Sequence, residues 1–207
     1  MIIFGFVQLS SVVIAGSSAH IDEKILLMLR NEYDVSDPIG PMWVEEMMRD
    51  ITAFGGVGIL VAISLMVFSY LLLSGNHTLA WSFFVAITTG ITVSFALKYG
   101  FTRPRPDLVP HGSYVYTSSF PSGHAMMSSL IYFTIAGMLA KVGFERRIKS
   151  YFFFVAVILT VAVGVSRVYL GVHWPTDVLA GWMTGTGWAM LSLFIVRYCR
   201  AKNWLQI

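Results

Sequence analysis

The sequence predicts an all-α integral membrane bundle of about six transmembrane helices, and three observations lead to it. Of 207 residues, 56% are hydrophobic and only 12% are charged. The mean hydropathy is +0.71, far from the balance of a soluble domain. Several windows reach the ~20 apolar residues that a spanning helix needs, with no charge in their middle. Nothing divides the chain, which has no internal repeat, low-complexity tract or linker, so residues 1–207 are expected to form a single membrane-embedded domain. The lone Cys199 excludes an internal disulfide and a cysteine metal cluster, and is assigned to packing.

Spans are expected near residues 2–17, 56–74, 78–98, 122–140, 150–170 and 176–198. The first is short, lacks a basic start and ends in the small residues Ala15 to Ala19, which imitate a signal-peptide cleavage site; it is read as a retained helix. Residues 20–50 follow, with eight of the eleven acidic residues. Within and just beyond them, Pro41 to Phe54 is amphipathic: Trp43, Val44, Met47, Met48, Ile51 and Phe54 share one face, and Glu45, Glu46, Arg49 and Asp50 lie opposite. Either an interfacial helix or an ordinary solvated connector fits that pattern. Only Ser74 to His77 separate the second and third spans, which predicts an antiparallel hairpin. Lys141, Arg146, Arg147 and Lys149 fill the loop after the fourth span, and Arg197, Arg200 and Lys202 lie at the C-terminal end. The preference for positive loops inside places both on the inner side, the N-terminus inside and the acidic segment outside. Net charge is +3 with a pI of 9.1, but the placement of charge says more than its sum.

Lys98, Arg103, Arg105 and Arg167 break that pattern, because all four fall at span ends assigned to the outer side. Lys98 closes the third span, Ser122 to His124 open the fourth, Arg167 closes the fifth, and His173 to Asp177 open the sixth. Consecutive spans alternate in direction, so these four ends must share one side of the bilayer, whichever side that is. The collected set holds cations, two histidines, a carboxylate and two helix N-termini, which is what phosphoryl transfer by side chains alone requires. A phosphate ester carries about −1.5 to −2 charges near neutral pH. Arginine forks pair with its oxygens, and lysine adds a point charge. Pro121 and Ser122 start a helix whose free N–H groups face a bound anion, and Gly123 allows close approach. Pro175 likewise starts a helix and puts Asp177 in its first turn, within reach of His173. A carboxylate on one ring nitrogen fixes the tautomer and frees the other nitrogen to attack, while His124 can supply a proton to the leaving oxygen. Singly, these residues have plainer readings: Lys98 and Arg105 as interfacial anchors, Ser122 as a helix start, Asp177 as a cap, His124 and His173 as hydrated rings. Their convergence on one face is what points to chemistry.

Three motifs carry a resemblance to a known family. They are Lys98, six residues, then Arg105-Pro106; Pro121-Ser122-Gly123-His124; and Ser166-Arg167, five residues, His173, three residues, Asp177. In these motifs the chain resembles the type 2 phosphatidic acid phosphatase superfamily, whose site is shared with vanadium haloperoxidases and glucose-6-phosphatase, and within it the bacterial membrane lipid phosphatases. The resemblance covers the catalytic region 98–177, and the flanking spans fit the family's six-helix plan. It implies that His173 forms a phosphohistidine, that Asp177 orients and activates it, and that His124 protonates the leaving group and then assists attack by water. It implies that Lys98, Arg105, Ser122, Gly123 and Arg167 bind the substrate phosphate. Arg103, outside the strict pattern, is an auxiliary candidate, and Ser166 is carried over only as structural support. It further implies a metal-independent phosphatase with no cofactor, acting on a lipid phosphate or pyrophosphate. Undecaprenyl pyrophosphate, phosphatidylglycerol phosphate and phosphatidic acid all qualify.

The expected setting is a bacterial inner membrane with the site facing outward, where the bilayer and the lipid substrate are the partners; neither nucleic acid nor an obligate protein partner is expected. The enzymatic alternative is a phosphotransferase that passes the phosphoryl group to another lipid with the same residues. A haloperoxidase suits a membrane-embedded pocket poorly. A transporter would place its charges at mid-membrane rather than at helix ends. In the 107–120 loop, Asp107, His111, Tyr114 and Tyr116 either contact the leaving group or merely connect, and His20 and His77 receive no role.

Overall fold

The computed structural model describes residues 2–111, 117–139 and 145–202, and every described regular element is a helix. Tyr114, Tyr116 and Lys141 lie outside the described residues. The elements are α1 (Ile2–Ile14), α2 (Ala19–Leu27), α3 (Met42–Ala53), α4 (Val57–Leu73), α5 (His77–Gly100), α6 (Gly123–Leu139), α7 (Arg146–Tyr169) and α8 (Pro175–Ala201). Each of the six expected spans falls on one of α1 and α4 to α8. The all-α membrane architecture is therefore as the sequence predicts, with α2 and α3 as two further short helices.

Three of them, α5, α7 and α8, are long and apolar enough to cross a bilayer unaided. Two more spans count if each bent pair is one crossing: α1 with α2, bent by 89°, and α3 with α4, bent by 44°. The sharp bend after α1 follows from a turn at Gly16, whose φ of +71° lies in the left-handed region. With 17 residues, the apolar helix α6 rises only about 25 Å, a little short of the ~30 Å hydrocarbon core. It does not need to meet lipid along its length, because it is the central helix. Ala125, Met126, Ser129, Leu130 and Ile131 are all buried between α5, α7 and α8.

The outer helices show the reverse pattern. Val57, Leu73, Phe154 and Phe194 expose 61 to 89% of their surface, a distribution that would be unstable in water and is expected against lipid tails. Without a hydrophobic drive between helices in lipid, small residues set the close contacts. Gly181 and Gly185 on α8 do this against α6. A methyl group at Gly181 would come within 2.6 Å of the Ser122 carbonyl oxygen, and one at Gly185 within 2.1 Å of the Met126 carbonyl oxygen.

The amphipathic stretch at Pro41 to Phe54 forms α3, and its apolar face divides. Val44 and Met48 pack on Tyr169, Leu170 and Val172, while Trp43, Met47 and Phe54 stay exposed. This segment is thus docked against the end of α7, and its outward apolar residues suit the bilayer interface rather than a solvated connector.

Candidate active site

Chain direction brings the last turns of α5 and α7 and the first turns of α6 and α8 to one end of the bundle. Lys98 and Arg167 come from the closing turns, Gly123, His124 and Asp177 from the opening turns, and Arg103, Arg105, Ser122 and His173 from the connections between them. His124 lies within electrostatic reach of Lys98, Arg105, Arg167 and His173. The two helix starts are also tied directly, since the Ser122 N–H donates to the Asp177 carbonyl at 3.0 Å.

His173 sits on the tight connection from α7 to α8. The turn passes through Gly171 at φ +70°, where a side chain would meet Val109, the Arg30 guanidinium and the Pro110 carbonyl, all within about 3 Å. His173 is only 2% exposed. Its Nε2 lies 3.2 Å from Arg105 Nη1. A guanidinium can only donate, so Nε2 accepts and the ring proton belongs on Nδ1, which faces Asp177 Oδ2 at 3.5 Å. Burial pushes the imidazole down to about 4, against the opposing pull of Asp177, so the ring is neutral at pH 7.

Asp177 is fully buried and held from several sides. Its Oδ2 accepts the Trp174 N–H at 3.0 Å and a short hydrogen bond from the Ser119 hydroxyl, and its Oδ1 accepts Arg103 Nη1 at 2.6 Å. The Ser119 hydroxyl is also 3.4 Å from His173 Nδ1, so Ser119 touches both members of the pair.

The cations are braced by the loop before α6. Lys98 Nζ donates to the Thr117 hydroxyl and the Ser118 carbonyl at 3.2 and 3.0 Å. Arg105 donates to the Thr117 carbonyl and, from the same Nη1 that meets His173, to the Val172 carbonyl at 2.7 Å. Burial lowers the Arg105 pKa, but a guanidinium stays charged. Arg167 is 3% exposed, and its Nη1 donates to Thr52 at the end of α3. The buried Ser122 hydroxyl makes no hydrogen bond to the described residues, and neither does the half-buried ring of His124. Arg103 is placed differently from the other cations. Both of its Nη atoms are taken by carboxylates, Asp177 on one side and Asp22 on the other, each pair closer than 3 Å.

Sequence reasoning missed Asp22, Ser119, Thr176, Thr117 and Thr52. A signal for Asp22 existed, because Ser18, Asp22, Leu26 and Arg30 recur every fourth residue and all four are buried. The threonines and Ser119 carry no comparable pattern. His111 bonds the Pro106 carbonyl within its own loop.

Beside the cations, a largely apolar groove of about 520 Å³ runs between α4 and α5 onto α6. Lys98, Thr117 and His124 line its polar end, and Leu65, Phe68 and Phe83 are among the residues deeper along it.

Residues 79–201 match the PAP2 superfamily. The chain is 33% identical over 158 residues to phosphatidylglycerophosphatase B of Bacillus subtilis, covering 75% of this chain and 74% of the relative. It is 34% identical over 122 residues to undecaprenyl-diphosphatase of Sulfolobus acidocaldarius, covering 57% and 53% respectively. Its fold matches the crystal structure of a transmembrane PAP2-type phosphatidylglycerolphosphate phosphatase from Bacillus subtilis with a TM-score of 0.80 and 27% identity, over 97% of this chain and 94% of the other.

Proposed function

The chain belongs to the PAP2 superfamily and is a membrane phosphatase, and from that premise we propose that it hydrolyses a lipid phosphate or pyrophosphate through a phosphohistidine on His173. The observation that carries this reading is the placement of His173: a buried neutral imidazole whose Nε2 faces the Arg105 guanidinium while Nδ1 faces a buried carboxylate. The lone pair available for attack thereby points to the side where a phosphoryl oxygen would be drawn.

In this reading Lys98, Arg105 and Arg167 hold the phosphate oxygens, with the Ser122 hydroxyl and the N–H groups of Gly123 and the first turn of α6. Nε2 forms a bond to phosphorus as the bond to the leaving oxygen breaks, and His124 gives that oxygen its proton. The departing group is a lipid alcohol from a monoester, or a lipid monophosphate from a pyrophosphate. His124 then takes a proton from water, the oxygen attacks phosphorus, the N–P bond breaks and inorganic phosphate leaves. Asp177 stabilises the charge that develops on the ring when nitrogen attacks. The apolar groove beside Lys98 and His124 would take the lipid tail, which favours a lipid over a soluble phosphate ester. The chain acts as a single domain in this reading, with the site on the outer side of a bacterial inner membrane.

Phosphatidylglycerol phosphate and undecaprenyl pyrophosphate are the first substrates to try, on the names of the relatives, with phosphatidic acid beside them. Purified protein given ³²P-labelled substrate and quenched rapidly in alkali should yield an acid-labile phosphoenzyme, absent in His173→Ala. Wild-type turnover with no such adduct in any quench would sink the covalent route. Label passing to an added lipid acceptor, with no inorganic phosphate released, would make the protein a phosphotransferase instead.

A further inference from the structure

We propose that Asp22, on the N-terminal helix α2, is a positioning residue for the reaction and acts through Arg103 on Asp177. The inference rests on His173 being the nucleophile and Asp177 its partner. Asp22 is fully buried, and among the described residues every polar contact of its carboxylate lies on the catalytic side. Oδ1 accepts the Thr176 N–H at 3.0 Å; Oδ2 accepts the Thr176 hydroxyl at 2.7 Å and Arg103 Nη2 at 2.7 Å. Arg103 Nη1 then donates at 2.7 Å to the Thr176 hydroxyl and at 2.6 Å to Asp177. One guanidinium is therefore shared between two buried carboxylates, only one of which faces His173.

Sharing has a definite electrostatic consequence. A guanidinium bound to Asp177 alone would draw that carboxylate's charge away from the imidazole. A second carboxylate on its other fork divides the guanidinium's pull, and leaves Asp177 more of its negative charge to stabilise His173 as it becomes cationic during attack. Asp22 also caps the opening turn of α8, next to Asp177 itself. Helix α2 lies outside the span 79–201 that matches the superfamily.

The test is a double-mutant cycle in detergent-solubilised full-length protein, combining Asp22→Asn with Arg103→Gln. Single-turnover phosphoenzyme formation, kcat, KM and thermal unfolding are measured for each variant. Asp22→Asn should lower kcat and the rate of phosphoenzyme formation about 10- to 100-fold, with KM within about twofold of wild type. In the Arg103→Gln background the same change should do much less, because the guanidinium it acts through is gone. Unchanged kcat in folded Asp22→Asn, or effects that simply multiply, would overturn the proposal. If Asp22→Asn yields no folded protein, Arg103→Lys replaces it. A single ammonium cannot bridge both carboxylates, so kcat should fall at constant KM, and an unaltered kcat would overturn the proposal. The parent reading fails separately, if wild-type protein forms no adduct on His173.

Discussion

At His173, low polarity and a neighbouring cation both favour the neutral ring, and the Asp177 carboxylate keeps its tautomer fixed. Replacing His173 with Ala should reduce kcat by at least about 10⁴-fold while leaving lipid binding in place, measured by phosphate release and by co-purified or spin-labelled substrate. The same burial has a consequence for stability. The ring titrates near 6.5 when exposed and at about 4 in the folded protein. Between those values the unfolded chain holds more protons, so stability rises with pH through that window and the contribution is complete above 6.5. Thermal unfolding of the detergent-solubilised protein should fall progressively from pH 6.5 toward 4, and His173→Asn should flatten part of that slope. Arg105 makes a different prediction. Its fork serves Thr117, Val172 and His173 together, so Arg105→Lys should keep the charge yet lose the geometry, lowering kcat/KM about 10²-fold. All nine residues singled out in the sequence lie at this end of the bundle, because alternation of span direction alone places helix ends on sides. What alternation cannot give is which way a side chain turns. Arg103 is an auxiliary candidate from the sequence, and in the folded chain its two Nη atoms meet two carboxylates.

At the scale of the helix, the site depends on how closely α8 can lie against α6. Gly181 and Gly185 permit that approach, and Ser122 and Asp177 are joined across it by a backbone hydrogen bond. A methyl at Gly185 would meet Ser129 and the Met126 carbonyl, and backbone cannot move aside as a flexible side chain can. Gly185→Ala is expected to cost about 1–3 kcal/mol and to lower kcat by separating the histidine-bearing helix starts, while Gly58→Ala, at an open position on α4, should leave both unchanged. Thermal unfolding and phosphate release on the two variants check this. The helices themselves were legible from apolar run length, and the hairpin of α4 and α5 from the brevity of its turn. The angles of the two bends were not, because composition marks where one segment gives way to the next near Gly16 and Gly55 but not the direction in which the chain leaves. Helix α2 falls within residues 20–50, which the charge pattern assigns to the outer side without marking a helix there, although its fourth-residue stripe buries Asp22.

For the whole molecule, the charge pattern expects the catalytic end outside and the loop before α7 inside. Single cysteines placed at Asp107 and at Asn76, in a Cys199→Ser background, should react with a membrane-impermeant maleimide from opposite sides of sealed vesicles. Labelling of both from one side would break the topology on which the site is built. The proposed chemistry uses the protein's own cations, so turnover should persist in excess EDTA; loss of phosphate release on chelation, restored by magnesium, would contradict it. The groove between α4 and α5 sets one more property. Its walls include Val61, Leu65 and Phe95, which are exposed along the bundle's flank, so the tail of a substrate can slide in sideways without leaving the bilayer. Encounter then takes place in two dimensions: the rate should follow the mole fraction of substrate among inert lipids, and should hardly change when the same vesicles are thinned with buffer.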